Sequence, residues 1–375
     1  MSHRMTLALV AVVLAAAGCR EADVPEVEDG ADVGETIEAD GLGDADIPRK
    51  VDIVLLVHTA YYQSLFEGPV VWSFPEDVAA LLVDAGLDVR IGLLSADMGS
   101  PGRIYPDESG TWCGRPCDRA DGTSSSDNGL LINTPPCWPE EEPYSWMPDG
   151  CGPYPLPGPG VEYPRFLAGD DEDLGSWLAC FLDRRDGCPV AQPLESLYQA
   201  FEPGRNEGFL REGSILAVFM LLTEDDCSVA DAEVLREGHE IEPRGHGAMC
   251  AFRQEHLHPL DRYVERLLAV RPPDDLVVAV FAGPDEPYSW CPPLEVCGGA
   301  DSGCTDATPC LVLRECADEW AYASPRLHDF VRQLGATSGG NPVGFSGTPC
   351  AGFAGGWPRS ELTRFKDAIL VRAGR

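Results

Sequence analysis

Four nearly continuous apolar runs constrain this chain more than any other feature. They are Val51 to Val57, "DVRIGLLSAD" (Asp88 to Asp97), "SILAVFMLLT" (Ser214 to Thr223) and "LVVAVFAG" (Leu276 to Gly283). A strand with one wet face alternates apolar and polar residues, and these runs do not. Each therefore predicts a strand covered on both faces, the situation of parallel sheets flanked by helices. Helical spacing fills the intervals. Val78, Leu81, Leu82 and Ala85 make one stripe, Leu194, Leu197, Tyr198 and Phe201 a second, and Leu260, Val264, Leu267 and Leu268 a third. Ser324-Pro325 offers a capping oxygen and a first-turn proline ahead of Leu327, Phe330, Val331 and Leu334. A last helix runs from Ser360 through Leu362, Phe365 and Ile369. Strands alternating with helices in this way predict an α/β fold with a doubly wound, mostly parallel sheet.

Two stretches without periodicity interrupt that order, about 99–165 and about 284–318. Loops this long are ordered when functional or cross-linked. The first carries Cys113, Cys117, Cys137 and Cys151; the second carries Cys291, Cys297, Cys304, Cys310 and Cys316. With 40 glycines and 33 prolines, much of the chain must be loop. Proximity along the sequence predicts the pairs Cys180–Cys188 and Cys227–Cys250, with the four cysteines of the first insertion pairing among themselves. Cys350 joins the five cysteines of the second insertion as a C-terminal set. No C-x-x-C occurs, which argues against a zinc ribbon or a thioredoxin-type redox centre.

The N-terminus indicates a compartment in which disulfides persist. His3 and Arg4 precede an apolar run from Leu7 to Ala17, which is too short to span a bilayer. Ala16-Ala17-Gly18-Cys19 resembles the lipobox of bacterial lipoproteins, with residues 1–18 as signal peptide and Cys19 as the lipidated N-terminus. An ordinary secretory signal with an unrelated cysteine is the alternative. Residues 19–48 include the acidic run "EADVPEVEDGADVGETIEADGLGDAD", too poor in apolar side chains to fold, which reads as a disordered tether. The formal charge of −35 excludes nucleic acid and anionic lipid surfaces as partners. The expected location is the cell envelope, lipid-anchored and facing the periplasm or the exterior.

Residues 49–375 read as one domain that, from Lys50 to about Gly335, resembles a von Willebrand factor A-like (vWA) domain, in the manner of Cys-rich vWA-like bacterial lipoproteins. The resemblance rests on "KVDIVLLV", "DVRIGLLSADMG", "WLACFLDRRDGCPVAQPLESL", "LLTEDDCS", "LHPLDRYVERLLAV", "VVAVFAGP" and "ASPRLHDFVRQLG". It implies a vWA/Rossmann-like sheet with two Cys-rich insertions. It also implies a Mg²⁺ site, the MIDAS, whose first-strand motif is Asp-x-Ser-x-Ser. In this chain His58 stands at the Asp, Ala60 at the first Ser and Tyr62 at the second. Imidazole suits Zn or Cu better than Mg²⁺, alanine offers no ligand, and a tyrosine ring fills the space of an ion. The MIDAS is therefore expected to be degenerate, with no cofactor.

Other candidates carry weaker signals. Glu224, Asp225 and Asp226 end the third apolar run, either as a rebuilt Ca²⁺ site with Asp97 or as a solvated acidic loop pinned by Cys227. His239, His246, His256 and His258 could hold Zn or Cu in a metal-binding protein or metalloenzyme, or line a polar loop; no H-E-x-x-H spacing accompanies them. "GFSG" (Gly344 to Gly347) lacks the spacing of a nucleophile elbow. Only Lys50 and Lys366 are lysines, so amine catalysis has few candidates. The expectation is a non-catalytic domain binding a protein or other macromolecule. Its candidate surface is His58, Thr59, Tyr61, Tyr62, Thr223, Glu224, Asp225 and Asp226. Aromatic residues are enriched at binding hot spots, although Tyr61, Tyr62, Trp72 and Phe74 could equally cover the sheet edge.

A Cys19→Ser chain is expected to leave the membrane fraction and take up no acyl label. Fractionation with metabolic lipid labelling checks this, and continued labelling of the variant would refute it.

Overall fold

The structure is a computed structural model that describes residues 49–58, 78–98, 128–132, 164–172, 174–175, 177–178, 190–222, 224–231, 250, 254–283, 285, 323–337, 343–347 and 359–374. Six strands form one sheet: β1 (Lys50–Val57), β2 (Asp88–Ser95), β3 (Phe166–Ala168), β4 (Ile215–Leu221), β5 (Leu276–Phe281) and β6 (Gly344–Gly347). Their order is β3-β2-β1-β4-β5-β6, and every pairing is parallel except β2 with β3. The α/β class and the mostly parallel sheet follow directly from the four apolar runs. β3 and β6 are additional. Three and four residues long at the two edges, they carry too little pattern to be read from sequence.

Helices cover both faces. α1 (residues 78–84) and α5 (Arg359–Arg372) lie on one, where Val78, Ala79, Leu82, Phe365 and Ile369 join Ile53, Leu55, Phe219 and Phe281. α2 (Pro193–Ala200), α3 (Leu260–Val270) and α4 (Pro325–Thr337) cover the other, packing Leu194, Leu197, Val264, Leu267, Phe330 and Leu334 on Val54, Leu56, Val218 and Met220. Alternate residues of β1, β4 and β5 thus enter opposite cores, which is why these runs needed to be apolar throughout. The helical stripes shift in one place. Leu81 is 50 % exposed and Ala85 lies in a turn, so α1 buries Val78, Ala79 and Leu82 instead.

Of the expected insertions, 128–132 and 164–165 are described in the first and only residue 285 in the second. Leu131 and Ile132 are buried, and the Ile132 N–H donates to the Leu93 carbonyl at 2.8 Å, so part of the first insertion continues the sheet edge beside β2. Asn206 holds it there in a left-handed conformation (φ 47°) that suits asparagine. Its amide donates to the carbonyls of Gly129 (2.9 Å) and Ala200 (3.1 Å), and its side-chain oxygen accepts from the Leu131 N–H (2.8 Å).

Asp52, the single break in the first apolar run, is fully buried at the N-terminal end of the sheet. Its carboxylate accepts from the Arg211 N–H (2.7 Å), the Arg211 Nε (2.7 Å) and the Ser214 hydroxyl (2.6 Å). The Arg211 guanidinium also donates to the carbonyls of Val51 (3.0 Å) and Asp88 (2.8 Å), and Arg271 donates to those of Ser214 (2.9 Å) and Arg211 (2.7 Å). One buried carboxylate thus ties the starts of β1, β2 and β4 together.

Arg211→Ala would leave that carboxylate without its cationic partner, a change that costs about 3–5 kcal/mol in buried pairs. Urea denaturation is expected to show a loss of that order, and an Asp52→Leu/Arg211→Met chain is expected to recover most of it.

Candidate functional site

In an open α/β sheet, ligands bind beyond the carboxyl ends of the strands where the strand order reverses. Here the reversal lies between β1 and β4. Val57 is in register with Ser95 on one side and Leu221 on the other, so the chain leaving β1 at His58 lies between Ala96 and Leu222. His58 is 2 % exposed and forms the floor of this edge rather than its surface. Thr59, Tyr61, Tyr62 and Thr223 lie outside the described residues.

The acidic residues after β4 are not a solvated loop. Asp225 and Asp226 are 7 % and 1 % exposed, and both cap helices from outside. The two oxygens of Asp225 accept from the backbone N–H groups of Arg326 (3.1 Å), Leu327 (3.1 Å) and Asp226 (2.9 Å). This carboxylate therefore accepts from first-turn N–H groups at the start of α4, beside Ser324 and Pro325. Asp226 accepts from the Leu194 N–H (3.1 Å) at the start of α2, from the N–H (3.3 Å) and hydroxyl of Ser228, and from the Arg326 Nε (2.8 Å). The Ser228 hydroxyl oxygen accepts from the Glu195 N–H at 2.9 Å. Two helices thus obtain acceptors for first-turn N–H groups from one loop.

A sign of this was available in the sequence. α2 begins Gln192-Pro193, and Gln192 makes no side-chain cap, so acceptors had to come from elsewhere in the chain. The pinning of the loop is as expected. Cys227 and Cys250, 23 residues apart in sequence, meet as a disulfide with 5.4 Å between Cα atoms. Cys19, Cys113, Cys117, Cys137, Cys151, Cys180 and Cys188 lie outside the described residues.

These residues do not fit the Mg²⁺ site that the resemblance implies. The ion wants several hard oxygens in an octahedron. His58 supplies a buried imidazole, and all four acceptor positions of Asp226 are used by protein donors. Three such positions are used on Asp225. Asp97, the expected helper of a Ca²⁺ site, is 4 % exposed, and its N–H donates to the Ser95 hydroxyl at 3.2 Å.

The histidine cluster divides. His239 and His246 lie outside the described residues. His256 pairs with Glu255 at 3.7 Å. His258 stands edge-on to Tyr263 and 4.0 Å from Glu195, and burial followed by the Arg262 guanidinium lowers its pKa. Among the described residues, no three His, Cys, Asp or Glu side chains are grouped as metal ligands.

Glu195, at the start of α2, is held by Arg262 and by the Tyr263 hydroxyl at 3.2 Å, and Arg262 stacks 3.8 Å over the Tyr198 ring. This network fixes α2 against α3 beside the loop of Asp226. Compared with known proteins, the chain matches no family model, no curated protein and no solved structure.

Burial pushes the carboxyls of Glu224 and Asp225 up to about 7. For Asp225 it outweighs the three N–H donors, which act in the opposite direction. A carboxyl raised on folding takes up a proton as the chain folds. Its contribution is full below the unfolded pKa of about 4 and is lost as pH rises through about 7. Melting temperature is therefore expected to fall by several degrees between about pH 5 and pH 8. Glu224→Gln is expected to flatten that slope; an unchanged slope in the variant would refute the assignment.

Proposed function

We propose that this chain is an envelope-anchored lipoprotein whose vWA-like domain binds another macromolecule, most simply a protein, without a MIDAS metal. In this reading Cys19 carries the lipid, residues 19–48 are the tether, and the C-terminal edge of the sheet faces the partner. Among the described residues no helix is long and apolar enough to cross a membrane.

One observation carries the binding reading. At the β1/β4 reversal, the position at which open α/β sheets bind ligands, the carboxylates of Asp225 and Asp226 are committed to helix ends. In this reading the partner meets Thr59, Tyr61 and Tyr62, which follow β1 in the sequence, and Thr223, which follows β4. Tyrosine suits that role, giving large contact area with a polar tip. The acidic balance of the chain favours a basic or neutral protein over an anionic polymer. None of the contacts around His256 and His258 favours a metalloenzyme.

The test uses the domain from residue 48 onward, immobilised and exposed to the native envelope extract, with EDTA or Mg²⁺ in parallel. A specific partner is expected in both buffers, lost with Tyr61→Ala/Tyr62→Ala and kept with Val371→Asp on the opposite end of the chain. Binding that requires Mg²⁺ would refute the metal-free reading. Thermal melts give a second check. An ion at a hundred times its dissociation constant would add about 2.7 kcal/mol, and none of Mg²⁺, Ca²⁺ or Zn²⁺ is expected to move the curve.

A further inference from the structure

Three groups at the far side of the same sheet edge are joined in a way the binding reading does not use. His328 lies in the first turn of α4 and is 6 % exposed. Its Nε2 is 2.9 Å from the carbonyl oxygen of Gly283, just beyond β5, and its Nδ1 is 2.8 Å from the hydroxyl of Ser346 in β6. A carbonyl oxygen only accepts, so Nε2 must carry the proton. In the neutral ring Nδ1 is then an acceptor, and the Ser346 O–H donates to it. The tautomer is set by the protein. It leaves a basic nitrogen on the serine hydroxyl, as nucleophilic catalysis by serine requires.

We propose that Ser346 is an activated nucleophile with His328 as its general base, able to take an acyl group from an uncharged carboxylic ester. The Gly283 carbonyl serves in the orienting role that a carboxylate fills in other serine enzymes, holding the imidazole by its second nitrogen. Ser346 is half-buried on an edge strand, so a small ester can reach it. The carbonyls of Val343 and Gly347 accept from the N–H groups of Val278 in β5 and of Ala282 just after it. The peptide N–H of Ser346, one residue out of phase, is therefore directed away from β5, on the side from which an oxyanion could be met. The chain's charge of −35 selects against phosphoesters and other anions.

The chemistry closes on these groups and water. The Ser346 Oγ forms a bond to the acyl carbon and the ester C–O bond breaks. The serine proton passes to His328 Nδ1 and on to the departing alkoxide or phenolate. Water then attacks the acyl-serine, its proton moving through the same nitrogen back to Ser346 as the acid leaves.

The experiment treats the full chain with an alkyl fluorophosphonate probe, and separately with p-nitrophenyl acetate, and maps the modified peptide by mass spectrometry. Label on Ser346 is expected, absent from Ser346→Ala. His328→Gln can keep a donor for Gly283 and an acceptor for Ser346 but takes up no proton. It is expected to label about a hundredfold more slowly. If that variant does not fold, the pH profile of the native chain decides. The labelling rate is expected to rise with the titration of a single base. An unlabelled Ser346 in the folded native chain, a His328→Gln rate equal to the native one, or a rate flat in pH would overturn the proposal.

Discussion

The carboxylate of Asp226 is the interaction on which the C-terminal half of the structure depends. It sits at the end of β4 and holds three separate pieces of chain: the start of α2 through Leu194, its own loop through Ser228, and α4 through the Arg326 guanidinium. A helix cap contributes about 1 kcal/mol, whereas removing one member of a buried ion pair costs about 3–5 kcal/mol. The Arg326 contact therefore outweighs the cap. It makes the position of α4 on the sheet a consequence of this single side chain. Asp225 adds direction by receiving the first N–H groups of α4, so the helix is fixed both in place and in axis.

Polar groups lock the sheet at its opposite end as well, where Asp52 gathers Arg211 and Ser214. Between the two ends the interior is apolar, with Phe219 stacked on Phe281 at 4.9 Å and edge-on to Phe365 at 5.2 Å. Apolar burial supplies most of the stabilisation but is non-directional. The buried ionic groups at the two ends specify which helix meets which strand end.

Much of this was legible in the residues. The four long strands declared themselves because a strand buried on both faces has no polar alternation to confuse with a loop. The helices followed from spacing, except where α1 buries Ala79 rather than Leu81, a choice made by neighbours in space. The edge strands β3 and β6 were not legible, since Phe-Leu-Ala and Gly-Phe-Ser-Gly carry no period of their own. The acidic triplet was misjudged for a related reason. Three adjacent carboxylates suggest solvent, and only the two helix starts that need acceptors explain the burial of Asp225 and Asp226. The join of His328 to Ser346 and Gly283 brings together residues 18 and 45 positions apart, a distance that no local pattern encodes.

The pairing of β1 with β4 has a consequence for how the chain reaches this state. Val51 lies opposite Ile215, so the central strand waits for 164 further residues before its second neighbour exists. Contacts this distant in sequence close slowly, because the entropy of a long loop is lost before the pairing rewards it. Meanwhile an eight-residue strand in which six residues are Val, Ile or Leu is available to any other chain, and such segments aggregate when left unpaired. Asp52 interrupts that run near its start. In the finished fold it is a buried anchor; in the waiting chain it is a charge that discourages a second copy from stacking on the same strand. The two roles share a clock: the carboxylate ceases to repel when Arg211 and Ser214, emerging just ahead of β4, arrive to neutralise it and admit the strand that follows.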